Sequence, residues 1–155
     1  MLRSRKATLK GKPRTIVDTS FLLPAVGIET DPEVYDAIKL FHRYEVMYLE
    51  VSILEIMWKI LKVVSPREIE RIIDGLKAIF ETYTSISPPA EAYADAYHLY
   101  HEGHGDFIDN LIYSTSRRVN ANLLTLDLKF VRFLREKGYP TENVLTPADL
   151  TRNAY

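Results

Sequence analysis

Cysteine is absent from the 155 residues. Neither a disulfide framework nor a thiolate metal site can be built without it. No apolar run approaches the roughly 20 residues of a membrane span, and FLLPAVGI is broken at Pro24. The start of the chain lacks the secretory pattern of charged, apolar and small-residue segments, so a cytoplasmic protein is the expectation. Repeats, low-complexity tracts and interdomain linkers are also lacking. What remains is 46% hydrophobic and 26% charged, the balance of one soluble globular domain with a core of ordinary size.

The net charge of −1 hides an asymmetry. Arg3, Arg5, Lys6, Lys10, Lys12 and Arg14 fall in the first 14 residues with no acid among them. The other 14 basic residues face all 21 acids, which leaves −7 over residues 15–155. An acidic body binds nucleic acid poorly unless cations bridge it to phosphate. A basic arm can reach phosphate directly, and its plainer reading is a solvated terminus.

Strand and helix signals alternate along the chain. Arg14 to Asp18 is a short β-rich run ending in an acid. An apolar turn of helix follows and is expected to stop near Pro24 and Gly27. Asp31-Pro32-Glu33 marks a helix start, with Val34, Ile38 and Phe41 as its stripe. Glu45 to Val51 reads as a second strand. Ser52-Ile53-Leu54-Glu55 then opens a helix with Ile56, Met57, Ile60, Leu61 and Val64 inward and Trp58 beside them in the core. Ser65-Pro66-Arg67-Glu68 is a capping box, followed by a buried face of Ile69, Ile72, Ile73, Leu76, Ile79 and Phe80. Tyr83 to Ile86 is a short strand candidate. A helix after Pro88-Pro89 ends at Gly103 and Gly105, and Asp106 opens the next. A strand over Leu123 to Leu126, a helix over Leu128 to Lys137, and a last strand at Val144-Leu145 complete the order. Strands alternating with helices predict an α/β fold, a three-layer αβα arrangement around a parallel sheet of four or five strands.

Four acids stand at element ends: Asp18 after the first strand, Glu55 in the first turn of a helix, Asp109 likewise, and Asp127 after a later strand. In a parallel sheet these positions fall on one edge, at the carboxyl ends of the strands. Carboxylates crowded there repel one another unless a hard divalent cation occupies the site. Mg²⁺ takes oxygen ligands and keeps waters that can be aimed at phosphate. Such a site suits metal-assisted phosphodiester hydrolysis. Each acid also has a plainer reading. Glu55 closes a formal S-I-L-E capping box, Asp109 complements a helix dipole, and Asp127 caps a helix. Asp18 is the hardest to explain away, because a strand end has no dipole that asks for an acid.

The ordered pieces Val17-Asp18-Thr19-Ser20, Ser52-Ile53-Leu54-Glu55, Asp106-Phe107-Ile108-Asp109-Asn110-Leu111-Ile112, Leu124-Thr125-Leu126-Asp127-Leu128-Lys129-Phe130 and Val144-Leu145-Thr146-Pro147-Ala148-Asp149-Leu150 together resemble a PIN-domain ribonuclease, the family of the VapC toxins. The resemblance implies residues 1–13 as an arm before a single PIN-like domain over 14–155. It implies a metal-dependent endoribonuclease of single-stranded RNA whose Asp18, Glu55, Asp109 and Asp127 hold Mg²⁺ or Mn²⁺, directly or through water. Ser20 and Thr125 would orient the acids or a metal-bound water, with Asp106 as a cap nearby. Cleavage would leave a 3′-hydroxyl and a 5′-phosphate. A VapC-type toxin would have an antitoxin protein as partner, and the apolar surplus on the helices fits a homodimer. Two departures from the family pattern stand out: the arm is longer than usual, and Asn110 occupies a place where a small residue is common.

Other features carry less. Arg117 and Arg118 are candidate RNA-backbone contacts, but as a cation pair at a helix C-terminus they need no ligand. His98, His101 and His104 have a metal-like spacing that Gly103 interrupts. Tyr93, Tyr97 and Tyr100 suit stacking on bases, core packing or a dimer face. The rival from another class is a PIN-fold RNA-binding or scaffold module with little catalysis, although a pure binder has no use for four repelling acids. A phosphatase using Asp18 as nucleophile would be expected to show a D-x-D pattern, which is missing here.

Overall fold

Alternation along the strands dictates two cores. In Arg14–Val17 (β1) Ile16 faces one side and Val17 the other; in Glu45–Leu49 (β2) Met47 and Leu49 oppose Val46 and Tyr48. Successive strand residues point to opposite faces, so each strand feeds both layers. The computed structural model describes residues 11–153, and most of the basic arm lies outside them. Thr84–Ile86 (β3), Asn122–Leu124 (β4) and Val144–Leu145 (β5) complete a five-stranded, wholly parallel sheet in the order β3-β2-β1-β4-β5.

The first core layer lies under Pro32–Ile38 (α1), Glu50–Val63 (α2) and Ile69–Thr82 (α3), with Phe21, Leu22 and Val26 from two short 3-10 turns. The second lies under Ala90–His101 (α4), Phe107–Arg118 (α5) and Leu128–Glu136 (α6). Pro147–Arg152 (α7) closes the chain beside α1. This is the expected αβα sandwich. Strand order reverses at β1, so the crevice at the carboxyl ends of β1 and β4 is the switch point where such sheets bind ligands.

Several local expectations need correction. The turn at Leu23–Val26 incorporates Pro24, and the stop comes at Gly27, whose φ of 78° suits glycine. Proline at the start of a turn loses no required hydrogen bond. The second strand stops at Leu49 and α2 begins at Glu50, not at Ser52. Glu50 supplies the first-turn acid that favours the earlier start. Trp58 is 52% exposed and Leu61 75% exposed. The buried face of α2 is set by Ile56 and Ile60, and at about 100° per residue Trp58 points to the opposite side. On α3, Ile69, Ile73 and Phe80 form an exposed flank, while Ile72, Gly75 and Ile79 are buried. Tyr93, Tyr97 and Tyr100 of α4 are each about half exposed, since Ala92, Ala96 and Leu99 fill its buried stripe. Among the described residues no helix is long and apolar enough to cross a membrane.

Candidate metal centre

Asp18 follows β1 directly and is buried, with 7% of its surface exposed. One of its carboxylate oxygens accepts from the Ser20 amide at 2.9 Å, and the other from the Leu126 amide at 3.2 Å. The hydroxyls of Ser20 and Thr125 also bond to it. Burial pushes the Asp18 carboxyl up, while these bonds pull it back down. Asp18 therefore does have a local task, capping the 3-10 turn Thr19–Phe21. It also stitches β1 to the segment after β4, since its own amide donates to the Leu124 carbonyl at 3.0 Å.

Glu55 lies in the second turn of α2, because the helix starts before Ser52. The capping-box explanation therefore does not apply to it. Its carboxylate accepts from Thr19 Oγ1 at 3.0 Å and lies 3.4 Å from Lys59 Nζ. Asp109 sits in the first turn of α5, whose N-cap is Asp106 through a 3.1 Å bond from the Asp109 amide. Asp127 caps α6 by accepting from the Phe130 amide at 3.0 Å, and its own amide donates to Thr125 Oγ1 at 3.1 Å. Thr125 thus touches both Asp18 and Asp127.

The four acids share one electrostatic neighbourhood. Burial, then the charges of Asp106, Asp18, Asp127 and Glu55, push the Asp109 carboxyl up to about 8. Asp109 holds its proton near neutral pH whenever nothing offsets those charges. Among the described residues no group of three or more His, Asp or Glu side chains is placed so that it could hold a metal ion. The donor chemistry nonetheless fits a hard cation: the converging groups are carboxylate and hydroxyl oxygens, with no sulfur and no imidazole among them.

Arg117 and Arg118 lie elsewhere. They end α5, about 18 Å along its axis from its start, and each meets an acid. Arg118 makes a two-pronged pair with Asp95 at 2.6 and 2.9 Å, and Arg117 reaches Glu142 at 2.7 Å. His98 meets Tyr97 edge-on and His101 lies tilted against it, whereas the His104 ring lies on Phe130. Sequence reasoning overlooked the roles of Thr19 and Lys59. Lys59 carried a weak signal, its i+4 spacing from Glu55. Thr19 carried none, since nothing in D-T-S says which hydroxyl faces which acid.

A parallel αβα sheet with acids gathered at its switch point defines a class of sheet-edge carboxylate proteins. Residues 15–135 match the PIN domain model, and the chain belongs to the PIN-domain family. Solved structures share its fold, two of them carrying a VapBC or VapC name. VapBC2 from Rickettsia felis, bound to a promoter DNA fragment, is 17% identical with a TM-score of 0.61, covering 86% of this chain and 98% of that one. PAE2754 from Pyrobaculum aerophilum is 16% identical at 0.61, covering 92% and 96%. VapC20 from Mycobacterium tuberculosis, a toxin that cleaves the sarcin-ricin loop, is 17% identical at 0.58, covering 83% and 98%. No curated protein sequence matches the chain.

Proposed function

We propose that this protein is a Mg²⁺- or Mn²⁺-dependent endoribonuclease of single-stranded RNA. The observation that carries the reading is the gathering of acids in a chain of the PIN-domain family: Thr125 bonds to both Asp18 and Asp127, and Asp109 is close enough to feel the charges of Asp18, Asp127 and Glu55. Carboxylates placed together in that way favour a hard cation as occupant. Asp18, Glu55, Asp109 and Asp127 would hold the ion. When bound, it would supply Lewis acidity and an activated water.

The protein's own groups do the positioning. Thr19 holds one oxygen of Glu55, and Lys59 neutralises part of its charge. Thr125 and the Leu126 amide fix the Asp18 carboxylate, and Ser20 holds it from the other side. Asp106 keeps the first turn of α5 in place and adds negative charge beside Asp109. A cation held by these acids would offset the negative charge that otherwise repels substrate phosphate. The arm's five basic residues before Pro13 would add contacts to the RNA backbone.

An antitoxin partner, acting in the cytoplasm, belongs to the same proposal. Leu54, Trp58 and Leu61 form an exposed apolar stripe on α2, and a groove of about 490 Å³ opens beside it between Tyr48, Ile53, Met57 and Phe80. Such a surface is of the kind a protein partner covers. The exposed tyrosines of α4 support a second copy of the chain as a further partner.

The test is cleavage of an end-labelled single-stranded RNA by purified protein with Mg²⁺, with Mn²⁺ and with chelator, alongside Asp18→Asn and Asp109→Asn. Metal-dependent cleavage with 5′-phosphate ends, lost in both variants, is expected. Cleavage that survives chelator or both substitutions overturns the reading, as do 2′,3′-cyclic phosphate ends.

A further inference from the structure

Asn110 follows Asp109 and is wholly buried. Its amide nitrogen donates to the His104 carbonyl at 2.8 Å, and its amide oxygen lies 2.6 Å from His104 Nδ1. With the amide set that way, His104 Nδ1 must be the donor. The His104 ring stacks on Phe130, centroids 4.2 Å apart and planes 20° apart, with Phe133 at 5.4 Å. Phe130 is the residue whose amide Asp127 caps. One imidazole therefore touches α5 one residue from Asp109 and touches α6 at the partner of Asp127. Gly103, with φ of 120°, turns the chain so that the His104 amide reaches the Leu99 carbonyl at 3.1 Å and the ring enters this gap.

Packing alone would not call for this arrangement. A small apolar residue at 110 would fill the helix turn without burying an amide. Asp106 already caps α5, so Asn110 is not needed for that. A buried amide bonded through both its nitrogen and its oxygen to one half-buried residue favours one relative placement of the elements it joins.

We propose that His104 and Asn110 are positioning residues that clasp α5 to α6, setting the spacing between Asp109 and Asp127 and hence the shape of the cation site. The clasp rests on the carboxylate-site reading above. Residues outside a first ring of ligands tune metal affinity by about 10- to 100-fold, so a loosened clasp weakens binding without removing a ligand.

The test uses isotope-labelled full-length protein by NMR, in four forms: wild type, His104→Ala, His104→Asn and Tyr113→Phe. In chelator, amide hydrogen exchange is read at Asp109 and Phe130; Mn²⁺ affinity is then measured for each form. His104→Ala is expected to speed exchange at both amides and to weaken Mn²⁺ binding by about 10-fold or more. His104→Asn keeps a donor at the Nδ1 position but has no ring for Phe130, so protection is rescued at Asp109 and lost at Phe130. Tyr113→Phe loses its 2.6 Å bond to the Pro140 carbonyl and serves as a control for general loosening of the same layer. It is expected to leave both exchange rates and Mn²⁺ affinity as in wild type. Unchanged exchange and affinity in His104→Ala overturn the clasp, as does Tyr113→Phe reproducing its losses. Failure of wild type to bind Mn²⁺ overturns the cation reading, whereas the exchange comparison decides the clasp by itself.

Discussion

Asp109 concentrates the behaviour of the site in one side chain. Its carboxyl is pushed from 3.8 up to about 8. An acid raised in this way binds more protons folded than unfolded between those limits, so its contribution to stability is intact at low pH and is lost as pH rises through about 8. In chelator, Asp109→Asn is therefore expected to melt on the order of 5 °C above wild type at pH 8.5 and close to it at pH 4, read by thermal scans at both. The same proton must leave when a cation binds. Apparent Mn²⁺ affinity should climb up to about tenfold per pH unit toward pH 8 and level off above it, as calorimetry would show. Thr19→Val removes the hydroxyl that holds Glu55 and is expected to weaken Mn²⁺ binding by about tenfold, with Thr19→Ser close to wild type. That Asp18, Asp109 and Asp127 share one edge of the sheet was legible in the sequence because each stands next to a strand end or helix start, whereas Glu55 lies a turn deeper in its helix than its spacing indicates. The acids' hydroxyl partners were not legible, because a short side chain in a turn has no periodic pattern to betray what it faces.

Elements show where local signals suffice and where tertiary packing decides. Asp106, Asp127 and the Ser65 box cap their helices as their spacing indicates. The start of α2 was misplaced because S-I-L-E satisfies a capping rule, whereas the helix begins two residues before Ser52 at Glu50, after Leu49 and with no side-chain cap. Trp58 was misplaced because composition alone favours an indole in the core, whereas the helix period turns it outward. Asp106→Asn separates cap from charge: asparagine caps as well as aspartate, so α5 should keep its stability while the Asp109 carboxyl titrates at lower pH, followed by carboxyl-carbon NMR. Gly75 marks a contact that no local rule reveals. A Cβ there would lie 2.8 Å from the Val26 Cα, against backbone, so Gly75→Ala is expected to destabilise by about 3 kcal/mol in urea unfolding.

At the scale of the whole molecule, the αβα layering was legible from the alternation of elements, while the strand order was not. Nothing in a strand's own residues says whether its neighbour is the next strand or one that arrives 100 residues later. Charge separates by region in the same way. The body carries −7 over residues 15–155, and the basic residues before Pro13 oppose it. Deleting residues 1–13 removes five cations. It should lower the salt dependence of single-stranded RNA affinity by up to about 3 to 4 in log–log slope, measured by fluorescence anisotropy across salt concentrations. An unchanged slope would remove the arm from the binding surface.

The place of β1 at the centre of the sheet has a consequence for biosynthesis. β1 leaves the ribosome first, yet its flank toward Asp127 is β4, paired through Ile16 with Leu123 and Val17 with Leu124. At about 5–20 residues per second the chain needs on the order of 5–20 s to supply that strand. Until then Asp18 has no Leu126 amide to accept from, and Asp109 and Asp127 have no sheet edge to gather at. The order of synthesis thus keeps the carboxylate centre unassembled while the chain is still being made.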